Sequence, residues 1–324
     1  MTPVRAEAAG AADSLAGVSP VLAVPFDDDG RVDEDGFRRV VEHVVASGCR
    51  STLLFGLASE FPKLTDEERD RLLAIAVATT RGSGLSIIAS VTDHSADVAA
   101  PRARRYVDAG AGLINVFPPH FLSPSPAQVL DHIATVAEAA GAPVVIQHAP
   151  NETRSTLACA DIAGLINHQA RIAAVKVEAT PPGAAIDELL SLAQRRPRIL
   201  VGYAGLHWPE AVAHGADGVQ PGCSFVEVYR ALQRHLDAGE PDRFAAAHGR
   251  LVPYLRSWMT GVERIVAVEK EILRRRGIIA SGRCRRPCHA LGEADHAEIG
   301  RFLVQHHSEL GAAGTHASPS KVTS

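Results

Sequence analysis

The stretch RIAAVKVEATPPG, residues Arg171–Gly183, places a lysine inside a run of apolar residues. The residues around Lys176 are small or β-branched, which is typical of a strand buried on both faces in a parallel sheet. An ammonium group in such a strand is costly unless it is paired or neutral. Lysine is also rare in this chain, which has four lysines and 29 arginines. Lys176 is therefore the first candidate for a functional residue.

Seven more apolar runs of strand length lie along the chain, and a helix-like segment follows each of the eight. One such segment has Thr65 at the N-cap and Glu68 at the capping-box position. This alternation predicts an α/β fold of the (β/α)8 TIM barrel class. A doubly wound open sheet is the alternative, but no strand is followed by the glycine-rich loop that binds dinucleotides. The predicted strands are residues 19–26, 51–56, 85–91, 113–119, 143–150, 172–178, 198–205 and 217–223.

The chain after the eighth predicted strand has only helical patterns, over residues 224–238, 241–258, 262–276 and 293–309. We therefore predict a barrel over residues 16–239 and a C-terminal helical appendage over residues 240–311. Residues 1–15 and 312–324 are rich in small and polar residues, and we predict that both are disordered tails.

Composition narrows the classes of partner. The formal net charge is −4 and no basic stripe occurs, so we predict no nucleic-acid partner. No apolar run reaches the roughly 18 residues that span a bilayer, and the first 15 residues lack the apolar region of a secretory signal. The five cysteines are odd in number and widely spaced, as in a reduced, cytoplasmic protein. The expected partner is a small molecule.

Barrel enzymes carry their chemistry at the carboxyl ends of the strands, where Lys176 lies. Desolvation in the barrel mouth disfavours the ammonium form, and the neutral amine can attack a carbonyl and form a Schiff base. The alternative is a structural ion pair between Lys176 and either Glu178 or Glu60.

The loop after the second strand offers a possible binding surface. Gly56 and the short side chains of Ala58 and Ser59 would let backbone N–H groups approach a ligand carboxylate. Alternatively, Ser59 and Glu60 only cap the helix that follows.

Other polar residues end the fourth, fifth, seventh and eighth strands. His120 and His148 are candidates for an acid or base, although each could be an ordinary loop histidine. The other candidates for the barrel mouth are Gln147, Gly202, Tyr203 and Gln220.

Several motifs occur in an order and spacing that resemble one family. They are GVSPVLAVPFDDDGRVD (17–33), GLASEFPKLTDEER (56–69), PPHFLSPSPAQVLDH (118–132), APVVIQHAP (142–150) and AAVKVEA (173–179). From about residue 17 to about residue 311 the chain resembles the dihydrodipicolinate synthase and N-acetylneuraminate lyase family of class I aldolases. The resemblance implies a barrel with C-terminal helices, a homotetramer or homodimer, Lys176 as the Schiff-base residue, and no cofactor or metal.

The chain departs from the family pattern in the loop after strand two. Leu57 and Ala58 stand where the family has the two hydroxyl residues that bind the carboxylate of pyruvate, and Ser59 is the nearby hydroxyl. After strand five, the family's proton-shuttling tyrosine is replaced by Gln147, whose amide can orient a substrate but cannot transfer a proton.

Two more departures lie after strands four and five. His120 and Phe121 stand where the synthases have tyrosines, and Glu152 stands at their arginine position, with Arg154 close by. These differences argue against dihydrodipicolinate synthase itself.

The sequence thus favours a Schiff-base lyase that acts on a 2-oxo acid or related small carbonyl compound through Lys176. His148 or His120, with Tyr203, would supply the acid–base function. A second hypothesis is a non-catalytic or regulatory barrel that binds a carbonyl metabolite. A third is a zinc site made by His94, His120 and His148.

Overall fold

The computed structural model describes residues 12–154 and 157–311. Within these residues, eight parallel strands form one sheet and alternate with helices. The predicted (β/α)8 barrel is therefore confirmed. The strands are β1 Gly17–Val18, β2 Ser51–Leu54, β3 Ser86–Val91, β4 Leu113–Val116, β5 Val144–His148, β6 Ile172–Val177, β7 Arg198–Val201 and β8 Gly218–Val219.

The sheet order runs from β1 to β8 and then back through β7 to β2. Val21 bridges both Leu53 of β2 and Gly222 after β8, which brings the two ends of the sheet together. The predicted first strand, residues 19–26, is wrong in its position because β1 covers Gly17–Val18. Prolines at positions 20 and 25 lack the N–H group that a continuous strand would donate to its neighbours.

The helices before the end of the barrel are α1 Glu34–Ala46, α2 Asp66–Thr80, α3 Ala96–Asp108, α4 Pro126–Ala140, α5 Pro150–Thr153, α6 Cys159–His168, α7 Gly183–Leu192 and α8 Trp208–Ala213. The chain after β8 is helical, as predicted, with α9 Val226–Asp237, α10 Pro241–Trp258, α11 Val262–Arg275, α12 Glu293–Gln305 and α13 His307–Gly311. No helix among the described residues combines the length and the apolar character needed to cross a membrane.

The barrel interior contains an apolar layer below a polar layer. The apolar layer is formed by inward-facing strand residues, namely Leu53, Ile88, Leu113, Val145, Ala174 and Leu200. Because side chains alternate along a strand, the residue two positions further on faces the same way. On β3 to β6 these next inward residues are Ser90, Asn115, Gln147 and Lys176, all buried. The sequence of the strands therefore produces a polar layer at their carboxyl ends.

The N-terminal end of the barrel is closed by residues that the sequence assigned to a tail. Asp13–Leu15 forms a 3-10 helix, and Leu15 is fully buried against the inner apolar layer. The predicted tail over residues 1–15 is therefore wrong for these residues, because the open end of the barrel needs an apolar side chain to cover it. Residues 1–11 and the predicted tail over residues 312–324 lie outside the described residues.

Helix α11 is anchored to the loop after β2 by buried charges. The Lys270 ammonium forms an ion pair with Glu60, and Lys63 Nζ lies 3.0 Å from the same carboxylate. The Lys270 ammonium also lies 4.0 Å from the centre of the Phe26 ring. These contacts fix the position of α11 over the carboxyl ends of the strands.

Candidate active site

A cavity of about 260 Å³ lies at the carboxyl ends of the strands, between the barrel mouth and α11. Its barrel side includes Val21, Leu57, Ala58, Glu152, Lys176, Glu178, Tyr203 and Gln220. Its other side is one face of α11, formed by Val262, Ile265, Val266 and Glu269. The helices predicted as an appendage therefore form part of the cavity wall.

Lys176 is buried in the cavity wall, and its Nζ lies 3.1 Å from Glu178 Oε1. The ion pair that the sequence left open is present with Glu178, whereas Glu60 pairs with Lys63 and Lys270. At this distance the Glu178 carboxylate can accept a proton from the amine.

A chain of hydrogen bonds holds the Glu178 carboxylate in place. Gln147 Nε2 donates to Glu178 Oε2 at 2.7 Å, and Asn115 Nδ2 donates to Gln147 Oε1 at 3.0 Å. Asn115 Nδ2 also donates to Ser90 Oγ at 3.1 Å. Gly202 leaves room for the carboxylate, because a Cβ atom at position 202 would overlap it. Gln147 and Gly202 thus position Glu178 and do not line the cavity.

Tyr203 lines the cavity at the end of β7 and is hydrogen-bonded to Glu152. Its phenol donates to Glu152 Oε1 at 2.5 Å and accepts from Asn151 Nδ2 at 3.2 Å. Burial raises the pKa of Glu152 above its ordinary value. Burial and the bond to Glu152 also raise the pKa of Tyr203. A phenol and a carboxyl in contact at the cavity wall can pass a proton between them.

Glu269 projects from α11 and is fully buried at the cavity wall. Burial raises its pKa to about 7. The backbone N–H of Ser224 donates to Glu269 Oε2 at 3.1 Å, and Oε1 has no partner among the described residues. Gly222 makes room for this carboxyl, because a Cβ atom there would overlap it.

The two histidines predicted as acid or base lie outside the cavity. His148 shares a face of β5 with Ile146, which packs against the surrounding helices, so its ring points away from the barrel interior. Burial lowers the pKa of His148. The ring of His120 packs on His94 at 4.7 Å between centroids, and His120 Nδ1 lies 3.0 Å from the carbonyl oxygen of Pro118. Neither histidine lines the cavity, so both assignments are corrected.

The loop after β2 serves the site less than the sequence suggested. Ser59 is fully buried, and its hydroxyl donates to the Leu22 carbonyl oxygen at 2.6 Å and accepts from the Phe55 N–H at 3.1 Å. A Cβ atom at Gly56 would lie 2.8 Å from Val21, so this glycine permits close packing. Both residues are structural, and neither Ser59 nor Glu60 caps α2, whose N-cap is Thr65.

Ala58 and Gln220 line the cavity as predicted. Gln220 Oε1 is buried and has no partner among the described residues. The proposed zinc ligands are not brought together, because His148 points outward while His94 and His120 lie in the loops after β3 and β4. Among the described residues, no three His, Cys, Asp or Glu side chains form a group that could hold a metal ion.

Three acidic residues of the cavity are not predicted as site residues by the sequence. The sequence suggests Glu178 only as a structural partner of Lys176, and Glu152 only as the residue at the synthases' arginine position. The pattern of the helical segment that contains Glu269 does not indicate that it faces the barrel mouth. The signal for Glu178 was present in the alternation of β6, where residues 176 and 178 share a face.

Comparisons with known proteins support the fold and the family. The model of the dihydrodipicolinate synthetase family matches residues 14–306. The 4-hydroxy-tetrahydrodipicolinate synthase of Kineococcus radiotolerans is 30% identical over 272 residues, which are 83% of this chain and 86% of that protein. The dihydrodipicolinate synthase of Aquifex aeolicus superposes with a TM-score of 0.83 at 22% identity, over 91% of this chain and 99% of that one.

A prophage protein of the same family from E. coli K12, solved in complex with pyruvate, superposes with a TM-score of 0.81 at 21% identity. That match covers 90% of this chain and 98% of the prophage protein. The barrel and these relatives place the chain in a family of aldolase-type lyases. The chain belongs to the dihydrodipicolinate synthetase family.

Proposed function

We propose that the protein is a Schiff-base lyase that acts on a 2-oxo acid or a related small carbonyl compound through Lys176. The observation that carries this proposal is the position of the Lys176 amine, in a cavity wall at the carboxyl end of β6 with the Glu178 carboxylate 3.1 Å away. The prophage relative was solved with pyruvate, a small 2-oxo acid, and this supports a carbonyl ligand of similar size.

The first step requires the Lys176 ammonium to lose a proton. Glu178 accepts that proton, and the free amine attacks the carbonyl carbon of the substrate to give a carbinolamine. Glu178 then returns the proton to the carbinolamine hydroxyl, which leaves as water, and the nitrogen lone pair completes the C=N bond of the iminium. The hydrogen bond from Gln147 keeps the carboxylate within reach of both positions.

The second step uses the iminium as an electron sink. A C–C or C–H bond beside it breaks, its electron pair forms an enamine, and the released proton needs an acceptor. Tyr203 and Glu152 line the same cavity, and their hydrogen bond of 2.5 Å supports a shared proton-transfer role. We propose that this pair replaces the family's missing tyrosine, in place of the histidines expected from the sequence.

We also propose that the protein is not dihydrodipicolinate synthase itself, although relatives carry the name 4-hydroxy-tetrahydrodipicolinate synthase. Leu57 and Ala58 line the cavity where the family pattern has hydroxyl residues, and Glu152 lines it where the synthases have an arginine. The hydroxyl pair and the arginine that the resemblance implies for a synthase are therefore absent from these three positions of the wall.

A non-catalytic barrel that binds a carbonyl metabolite is the second candidate. The observation that favours it is the ion pair itself, since Glu178 already satisfies the Lys176 ammonium. The two candidates differ in whether a covalent bond forms at Lys176.

Borohydride trapping separates these candidates. The protein is incubated with a panel of 2-oxo acids and small aldehydes, reduced, and digested for mass spectrometry. We expect a stable adduct on Lys176 and none on the buried Lys270, which serves as an internal control. If reduction leaves Lys176 unmodified with every compound, the lyase hypothesis is rejected and the non-catalytic binding barrel is the remaining hypothesis.

We further propose that the protein acts in the cytoplasm as a homotetramer or homodimer, with the lysine Schiff base in place of a cofactor. The five cysteines are unpaired, which supports a reducing compartment. Size-exclusion chromatography with light scattering tests the assembly, and a monomer would contradict it.

A further inference from the structure

The cavity contains hydrogen-bond acceptors that lack donors. Glu152 Oε2, Gln220 Oε1 and Glu269 Oε1 are buried without a partner among the described residues. All three residues line the cavity next to Lys176. Buried polar atoms are nearly always hydrogen-bonded in folded proteins, so an occupant of this cavity is expected to donate hydrogen bonds to them.

The charges of the cavity wall also bear on which occupant fits. Among the described residues that line the cavity, Lys176 is the one cation, and three glutamates face it, Glu152, Glu178 and Glu269. Lys176 is committed to Glu178 in the free protein and to the carbonyl carbon in the proposed Schiff base. A second anionic group on the substrate would therefore have no cationic side chain in the wall to receive it.

Glu269 is the acceptor with the greatest need of a cation. It lies on the face of α11 formed by Val262, Ile265 and Val266, and its side chain is buried. Its hydrogen-bonding neighbour among the described residues is Ser224, and no cationic side chain there forms a salt bridge with it. An ammonium group of a bound compound would give this carboxylate the charged partner that the protein does not supply.

Resting on the proposed function, we infer that the carbonyl substrate carries an ammonium group at the end away from its carbonyl group. Glu269 receives the ammonium group, and Gln220 Oε1 accepts a second hydrogen bond from it. The apolar side chains of α11 contact the carbon chain between the two ends. Above pH 7 a substrate with a carboxylate at that end is rejected, because it would face the ionised Glu269 without a counterion.

The test uses three aldehydes of equal length that differ at the far end: 3-aminopropanal, 3-hydroxypropanal and 3-oxopropanoate. Each is titrated against the protein at pH 8, where the Glu269 carboxyl is mostly ionised, and reduced with borohydride, and the adduct on Lys176 is quantified by mass spectrometry. We expect half-maximal trapping by 3-aminopropanal at a concentration about tenfold or more below that for 3-oxopropanoate, as for a charge-assisted hydrogen bond. The concentration for half-maximal trapping by 3-hydroxypropanal should lie between those for the other two compounds.

The Glu269→Gln variant identifies the group responsible. It keeps the shape of the side chain and removes its charge, so the preference for the ammonium compound should fall by about tenfold. Glu42→Gln is the matched control. Glu42 is exposed on α1, so this substitution removes the same charge at a position outside the cavity. Thermal melting of both variants confirms that each is folded.

The outcomes separate the inference from the proposed function. If 3-oxopropanoate is trapped at the same concentration as 3-aminopropanal, the Schiff-base lyase stands and the inference is overturned. Retention of the full preference in Glu269→Gln would also overturn it. If no compound modifies Lys176, including the 2-oxo acids tested above, the proposed function fails and this inference fails with it.

Discussion

Lys176 and Glu178 are separated by one residue at the end of β6, and their charged atoms are 3.1 Å from each other. The alternation of the strand puts both side chains on one face, and Gln147 on the neighbouring strand holds the carboxylate from the other side. The amine and the group that can deprotonate it therefore lie within a stretch of three residues. This arrangement makes the first prediction specific to Glu178.

Glu178→Gln should slow Schiff-base formation by about a hundredfold, because the amide can position the amine but cannot accept its proton. The rate is measured with a small carbonyl compound and cyanoborohydride, by following the mass of the protein. Glu138→Gln, on the exposed side of α4, is the control. An unchanged rate in Glu178→Gln would show that another group takes the proton.

Gly202→Ala should have a similar effect on the rate of adduct formation. The added Cβ atom would overlap the Glu178 side chain, including its Cγ atom, so the carboxylate must move away from Lys176. Adduct formation should therefore slow, and the melting temperature should fall because the buried Lys176 loses its ion-pair partner. Gly164→Ala is a matched control, since its Cβ atom would meet nothing within 4 Å. A normal rate with Gly202→Ala would argue against the position assigned to Glu178.

Tyr203→Phe should affect the step after the iminium. The variant removes the phenol that donates to Glu152, and we expect exchange of the C3 protons of a bound 2-oxo acid with D2O to slow by at least about tenfold. Adduct formation on Lys176 should be unchanged, which separates this role from that of Glu178. Proton NMR measures the exchange. Tyr254→Phe, whose phenol bonds Gln305, is the control and should exchange normally.

His120→Gln should leave both steps within about twofold of the wild type, as for a surface substitution away from the site. The physical reason is that His120 packs on His94 in the loop after β4 and does not line the cavity. The same trapping and exchange measurements apply. A large loss in either rate would restore the histidine that the sequence suggested as acid or base.

Glu269 should make stability depend on pH. Burial raises its pKa to about 7 from an ordinary value of 4.5, so between these values the folded protein keeps a proton that the unfolded chain has released. The free energy of unfolding therefore falls as pH rises through this window, by ~3 kcal/mol for a shift of this size. Glu269→Gln cannot ionise and should lose this dependence. Urea denaturation at pH 5 and pH 8 measures it, and an identical dependence in the variant would contradict the assignment.

The sequence predicts the features that depend on residues close together in the chain. The apolar run around Lys176 predicted the strand, and the repeated pattern predicted the barrel. The catalytic role of Lys176 stays a prediction. The choice of His148 was wrong because side chains alternate: Gln147 pairs with Lys176 across the strands and faces inward, so His148 faces outward. The position of β1 was wrong because prolines interrupt an apolar run that otherwise resembles a strand.

The rest of the site depends on contacts between distant segments. Glu269 reaches the cavity because the Lys270–Glu60 pair and the packing of α11 orient its helix, and the pattern of that helix alone does not say which barrel face it covers. Likewise, Ser59 looked like a ligand because it follows a strand, but its hydroxyl is used by the Leu22 carbonyl oxygen.

The cavity is formed by two parts of the chain that are far apart in the sequence. The barrel contributes Lys176, Glu178, Tyr203 and Glu152, the residues of the proposed reaction, while α11 contributes Val262, Ile265 and Glu269 on the opposite side. Changes on α11 can therefore alter which compound is retained without disturbing the groups that make and break bonds. Natural or engineered substitutions in this one helix could therefore change the selectivity of the cavity without altering the residues of the proposed reaction.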